Sequence, residues 1–290
     1  MKLLVLIACL LIEKYLHIGG VLKRFSWFES YLSAIQHKLG KNGSLSKGYL
    51  GVIMILLPVW LPLLILGVAL VKYQIGLSGI GLYFVVLLYC FGPNDLYDQL
   101  SLYFKSVDAG DKEHQVYLYK EITGCEFDDS SEFEAKTSIR KLTETILLRA
   151  NCDILGIIFW FCIGSVPAVF LYRGLCLMSS MAAEGNEICA PFRDEVIRLY
   201  GVMNWVPARV TALLYSIVGG SQAYPTWKKL FWTDTAGNQT IVKECGVDSL
   251  VIGMEEPLVE ESKKAMVLVD RAIILFVVII FVFSLGAWFR

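Results

Sequence analysis

Residues 48–71 read GYLGVIMILLPVWLPLLILGVALV, and residues 73–94 read YQIGLSGIGLYFVVLLYCFGPN. Neither run, 24 and 22 residues long, holds a charge, and Lys72 alone separates them. About 20 apolar residues of helix cross roughly 30 Å of hydrocarbon. In that medium backbone polar groups must be satisfied internally, as a helix does. The pair reads as a transmembrane hairpin over residues 49–91. The expected fold class is all-α: a polytopic membrane helical bundle with interfacial and cytoplasmic helices.

Composition supports this. The 290 residues are 56% hydrophobic and only 18% charged, with mean hydropathy +0.58. Soluble chains carry about 25% charged residues. The net charge of −1 gives no field to attract nucleic acid, which is excluded as a partner. Membrane lipid is the partner the composition implies. The 7 Trp, 14 Tyr and 16 Phe suit packed helices and interfacial belts.

Working outward, residues 1–48 hold an apolar N-terminal helix and then a basic segment expected to be interfacial. Its Lys23, Arg24, Lys38, Lys41 and Lys47 prefer the cytoplasmic face. Residues 92–152 are polar with helical spacing and read as a cytoplasmic helical segment. A third span covers 153–178, with Pro167 inside and Arg173 beyond its most apolar part. Residues 179–264 read as polar helices around an ambiguous stretch, 199–220, that is re-entrant or spanning. The last span covers 265–288. The whole is expected to be a multi-pass membrane protein.

Six positions stand out as candidate sites. Arg209 lies in Asn204-Trp205-Val206-Pro207-Ala208-Arg209, between apolar stretches. Pro207 fits the first turn of a helix, with Asn204 near the cap. Arg209 would then sit where helix N–H groups attract anions and could grip a phosphate bidentately. The alternative is an ion pair that fixes the bundle. Arg140, Arg173 and Asn204 complete the anion-binding candidates, and Arg140 is spaced to pair with Glu144. Asp95 and Asp98 start a helix at the membrane surface. They are the catalytic or metal candidates, able to hold Mg²⁺ if phosphates complete its shell. Ordinary helix-start acids explain them equally. No P-loop, HExxH motif or triad is present, so no cofactor is expected outside an Mg²⁺-dependent enzyme reading.

The chain resembles the AmpE family of bacterial inner-membrane regulatory proteins. The resemblance rests on the spans in order, Phe159-Trp160, Gly164, Tyr172-Arg173, the Asn204–Arg209 stretch and Leu213-Leu214-Tyr215. It implies a role in beta-lactamase induction, cell-wall stress sensing and the antibiotic response. A muropeptide or other anionic envelope metabolite, a signalling protein and a homodimer are the partners that go with it. A more distant similarity, on Arg140, Phe159-Trp160, Pro167, Tyr172 and Asn204 through Arg209, is to the CobD/CbiB enzymes of cobalamin synthesis. These join an aminopropanol phosphate to a corrinoid carboxylate. The chain departs from them at residues 147–153 and at Gly201-Val202-Met203, where the synthases are richer in acids. Three readings follow: a ligand-binding sensor, an enzyme of amide or phosphate transfer, and a ligand-free membrane scaffold.

Overall fold

The computed structural model describes residues 2–16, 28, 30–34, 48–72, 76–91, 95–128, 132–183, 192–250 and 258–288. Most of the basic segment, including Lys23, Arg24, Lys38, Lys41 and Lys47, lies outside them. Every regular element among the described residues is helical. They are α1 (Lys2–Leu16), α2 (Tyr49–Lys72), α3 (Gly76–Cys90), α4 (Asp95–Ala109), α5 (Lys112–Thr123) and α6 (Glu132–Ala150). A π-turn, Asn151–Leu155, leads into α7 (Gly156–Ala183). Then come α8 (Arg193–Gly219), α9 (Tyr224–Leu230), α10 (Asn238–Asp248) and α11 (Leu258–Trp288), with short 3₁₀ turns between.

Among the described residues, two helical stretches are long and apolar enough to cross a membrane: Glu134–Ala183, 50 residues, and Val259–Gly286, 28 residues. On α11, Ile274, Val278, Val282 and Phe283 are exposed. Over residues 272–286 the exposed positions are apolar apart from Ser284, a surface that suits hydrocarbon better than water.

The chain folds as two compact units, one of residues 1–92 with 156–206, the other of 93–155 with 207–290. In the first, α2 packs on α7, α1 on α3, and α3 on both α2 and α7. Phe28, Leu32, Val52, Ile55, Leu175, Met178, Phe192 and Val196 form its core. The prolines of α2 do not break it, and Trp60 on the same helix donates to the Pro167 carbonyl of α7 at 3.1 Å. That carbonyl sits beside a break in α7, where Ser165 takes φ 58°. A non-glycine residue in that region is strained, and Pro167 two residues on denies the helix a donor.

In the second unit α6 is central, packed against α5, α10 and α11. Glycine matters at the α6–α10 contact. A Cβ on Gly246 would lie 2.6 Å from the Leu147 side chain. Buried polar pairs tie the rest. Thr143 and Ser262 hydroxyls meet at 3.1 Å between α6 and α11, and Tyr97 donates to Asp270 at 3.2 Å. Burial first, then the Asp270 charge, pushes the Tyr97 phenol well above its ordinary range. Cys245 of α10 is buried, and its thiol is pushed up to about 12 by burial.

The expected helix start at Pro207 is corrected. Helix α8 begins at Arg193 with Asp194 and Glu195 in its first turn, where acids complement the dipole, and Pro207 lies deep inside it. The apolar spacing continues upstream through Val196, Leu199 and Met203, so packing carries the helix through the proline. From 199 to 219 the polar side chains Asn204, Arg209, Thr211 and Ser216 are all buried. The exposed ones are Val202, Val206 and Ile217.

Candidate functional site

In the first unit, Tyr172 and Arg173 sit on α7 and Asn204 on α8. All three are buried, at 0%, 3% and 4% exposure. The Tyr172 hydroxyl donates to Asn204 Oδ1 at 3.0 Å. The Tyr172 ring lies over Gly156, where any Cβ would come within 2.3 Å of the hydroxyl oxygen. Glycine is therefore what lets the ring reach Asn204. A guanidinium buried as deeply as that of Arg173 is retained only with compensating polar or anionic groups around it. Removing the Tyr172 hydroxyl leaves the Asn204 carbonyl short of a donor. Tyr172→Phe is expected to lower stability by about 1–2 kcal/mol, read as an earlier unfolding midpoint in detergent.

In the second unit Arg209 is 2% exposed and bound by acceptors of its own chain. Nε donates to the Phe231 carbonyl at 3.1 Å. Nη2 donates to the Thr233 carbonyl at 2.7 Å and to its hydroxyl at 3.1 Å. Nη1 donates to Asn238 Oδ1, at the start of α10. The Arg209 carbonyl accepts from Trp227 Nε1 at 3.0 Å. The guanidinium thus fastens the segment between α9 and α10 to α8.

Two residues on, Thr211 donates to Asn151 Oδ1 at 2.8 Å, in the π-turn. Four residues beyond that, Tyr215 donates to the Leu147 carbonyl at 3.1 Å. A π-turn breaks the regular ladder of carbonyl bonds, and such turns cluster at functional sites. The sequence pattern did not single out Asn151, Thr211 or Asn238. Their signal was weak: single polar residues in otherwise apolar surroundings.

The remaining candidates lie elsewhere. Arg140 is exposed and pairs with Glu144 at 3.4 Å, and Glu144 also meets Lys243 of α10 at 3.3 Å. Asp98 is exposed on α4, beside Gln99, which donates to Glu121 at 2.8 Å. Asp95 opens α4, and its side chain lies outside the described residues. By unit, Arg173 and Asn204 fall in the first, and Arg140, Arg209, Asp95 and Asp98 in the second.

The model of the family described as CobD/Cbib protein matches residues 13–243, which take in every one of these positions. The chain belongs to the CobD/CbiB family. The cobalamin biosynthesis protein CobD of Stutzerimonas stutzeri (strain A1501) is 25% identical over 128 residues, 43% of this chain and 42% of that one. CobD of Pelobacter propionicus is 26% identical over 138 residues, 46% and 42% of the two chains. CobD of Brucella anthropi is 32% identical over 78 residues, 27% and 24%. The matches span less than half the length of these relatives. No solved structure matches.

CobD/CbiB membership overturns the functional expectation. The relatives are named for cobalamin biosynthesis, so the role in beta-lactamase induction, antibiotic response and signalling drawn from the AmpE resemblance is withdrawn. A likeness in the order of spans and short motifs carries no signature of the reaction a scaffold hosts. Asp98 belongs to no cluster of three potential metal ligands among the described residues. Mg²⁺ asks for fewer, since one or two carboxylates hold it when substrate phosphates complete the shell.

Proposed function

We propose that this CobD/CbiB member is a multi-pass inner-membrane enzyme of cobalamin biosynthesis that forms an amide. It would join a phosphorylated amine to a corrinoid carboxylate. The observation that carries this reading is the family match from residue 13 to residue 243, which takes in Arg140, Arg173, Asn204 and Arg209.

In the reaction the amine nitrogen bonds to the carboxyl carbon. One carboxylate oxygen leaves on a phosphoryl group supplied by a nucleoside triphosphate, and the amine proton passes to solvent. In this reading Arg173 holds a carboxylate or phosphate oxygen. The planar guanidinium fork matches either anion. The Tyr172–Asn204 hydrogen bond fixes the α7–α8 contact next to it. Arg209 acts as a positioning residue that holds the α9–α10 segment, since its own chain supplies its acceptors.

The departures at residues 147–153 and 201–203 bear on which amine and which corrinoid are taken, so the test uses a panel. Purified full-length protein is incubated in detergent with corrinoid acids, ATP, Mg²⁺ and phosphorylated amino alcohols, and products are weighed by mass spectrometry. An adduct lighter than its two parts by one water is expected. Arg173→Ala should lower its rate about 100-fold, the scale of losing one preorganised charge contact. No adduct from any pairing, with protein that is folded by circular dichroism, would overturn the reading.

A further inference from the structure

The segment that Arg209 fastens presents an unusual surface. Trp232 is 83% exposed, the largest exposure of any bulky apolar residue described. It is not at a loose end. Arg209 holds the carbonyls on both sides of it, that of Phe231 through Nε and that of Thr233 through Nη2. The Thr233 amide closes the turn onto the Leu230 carbonyl at 3.1 Å. A backbone gripped at the residues before and after Trp232 holds its indole outward.

The neighbours repeat the chemistry. Tyr224, 50% exposed, stacks on Trp227 at 5.7 Å, and Trp227 meets Phe231 at 4.9 Å. Trp227 is itself tied to the Arg209 carbonyl. Lys228 and Lys229, side by side in the last turn of α9, are both exposed. Projecting Trp and Tyr with flanking lysines make the composition that sits at a bilayer's headgroup level. There amphipathic rings lie half in hydrocarbon, and ammonium groups meet lipid phosphate. The same unit contains α11, whose outward face is apolar.

We propose that the α9 turn, from Tyr224 to Trp232, is an interfacial anchor. Its occupant is the headgroup layer of the bilayer that holds α11, with the Trp232 indole at the glycerol level and Lys228 and Lys229 against lipid phosphates. Arg209 is the internal clamp that makes the anchor rigid. The assignment is independent of the catalytic reading, because turnover does not enter its test.

Full-length protein is reconstituted into nanodiscs of phosphatidylcholine and phosphatidylglycerol. The lipid chains are brominated either near the glycerol end or near the methyl end. The Trp232 contribution is the fluorescence difference between the native chain and Trp232→Phe, with Trp232→Tyr as a second variant should the first misfold. Quenching of that component several-fold stronger by glycerol-end than by methyl-end bromine, with little quenching by aqueous iodide, is expected. Strong iodide quenching without bromine quenching would place the indole in water and overturn the anchor. Quenching by neither would show protein, such as a second copy, covering it, and would overturn it equally. Stronger quenching from the methyl end would place the indole in the bilayer interior and sink the headgroup assignment.

Discussion

Arg209→Ala is expected to destabilise the second unit by on the order of 4 kcal/mol. The estimate comes from hydrogen bonds to a charged donor, which contribute about 1.5–3 kcal/mol each, and from the acceptors left behind. Phe231, Thr233 and Asn238 would all lose their guanidinium partner at once. Against a typical total of about 5–15 kcal/mol, that is a large share. The loss should be local in origin. The α9–α10 segment would exchange amide hydrogens fastest, and the thermal midpoint in detergent should fall. Arg209→Lys separates charge from shape. An ammonium has three donors on one atom and cannot span the Phe231 and Thr233 carbonyls as a planar fork does. It should recover less than half the loss. If Arg209 were instead only an anion ligand, the alanine variant would keep its midpoint and lose ligand binding alone. Hydrogen exchange over residues 224–238 distinguishes the two.

How much of this was legible in the sequence follows from how local each signal is. The absence of charge over residues 49–71 is a property of one segment, so helices there needed no tertiary knowledge. The same holds for α11, whose apolar run starts just after Asp270 and Arg271. Helix α8 was not legible in this way. Pro207 and the polar residues around it look like a boundary when read in a line. Their burial on one side, with Val202, Val206 and Ile217 outward, exists only once the helix is packed.

Arg209 stood out because a lone arginine in an apolar stretch must find partners. Which partners it finds was hidden, since they lie 22 to 29 residues downstream, in a segment with no pattern of its own. Asn151 and Thr211 are 60 residues apart, and neither is unusual alone. Trp232 looked like one aromatic among many until its exposure was known. Function was the least legible of all. Arg140, Tyr172 and Asn204 through Arg209 pointed toward two families, and comparison along residues 13–243 decided for CobD/CbiB membership.

Gly156→Ala should be the next most damaging substitution, for a reason confined to the first unit. An added Cβ would lie 2.3 Å from the Tyr172 hydroxyl oxygen, 2.5 Å from Cζ and 2.7 Å from Cε1. Those are ring atoms of a fully buried side chain, so no flexible end can yield. Overpacking of this kind costs about 1–3 kcal/mol, and displacing the ring also breaks its bond to Asn204, worth about 1 kcal/mol more. Alanine's better helix propensity returns under about 1 kcal/mol. A net loss of about 1–3 kcal/mol is expected. The cause can be isolated by a double-mutant cycle with Tyr172→Leu, which removes the ring the methyl would strike. The two substitutions together should cost less than their sum by about 1–2 kcal/mol, because the clash is counted once the ring is present and vanishes without it. Strict additivity in unfolding midpoints would mean that the methyl strikes something other than Tyr172. The close approach of α7's first turn to its own Tyr172 would then not be what sets the Asn204 contact.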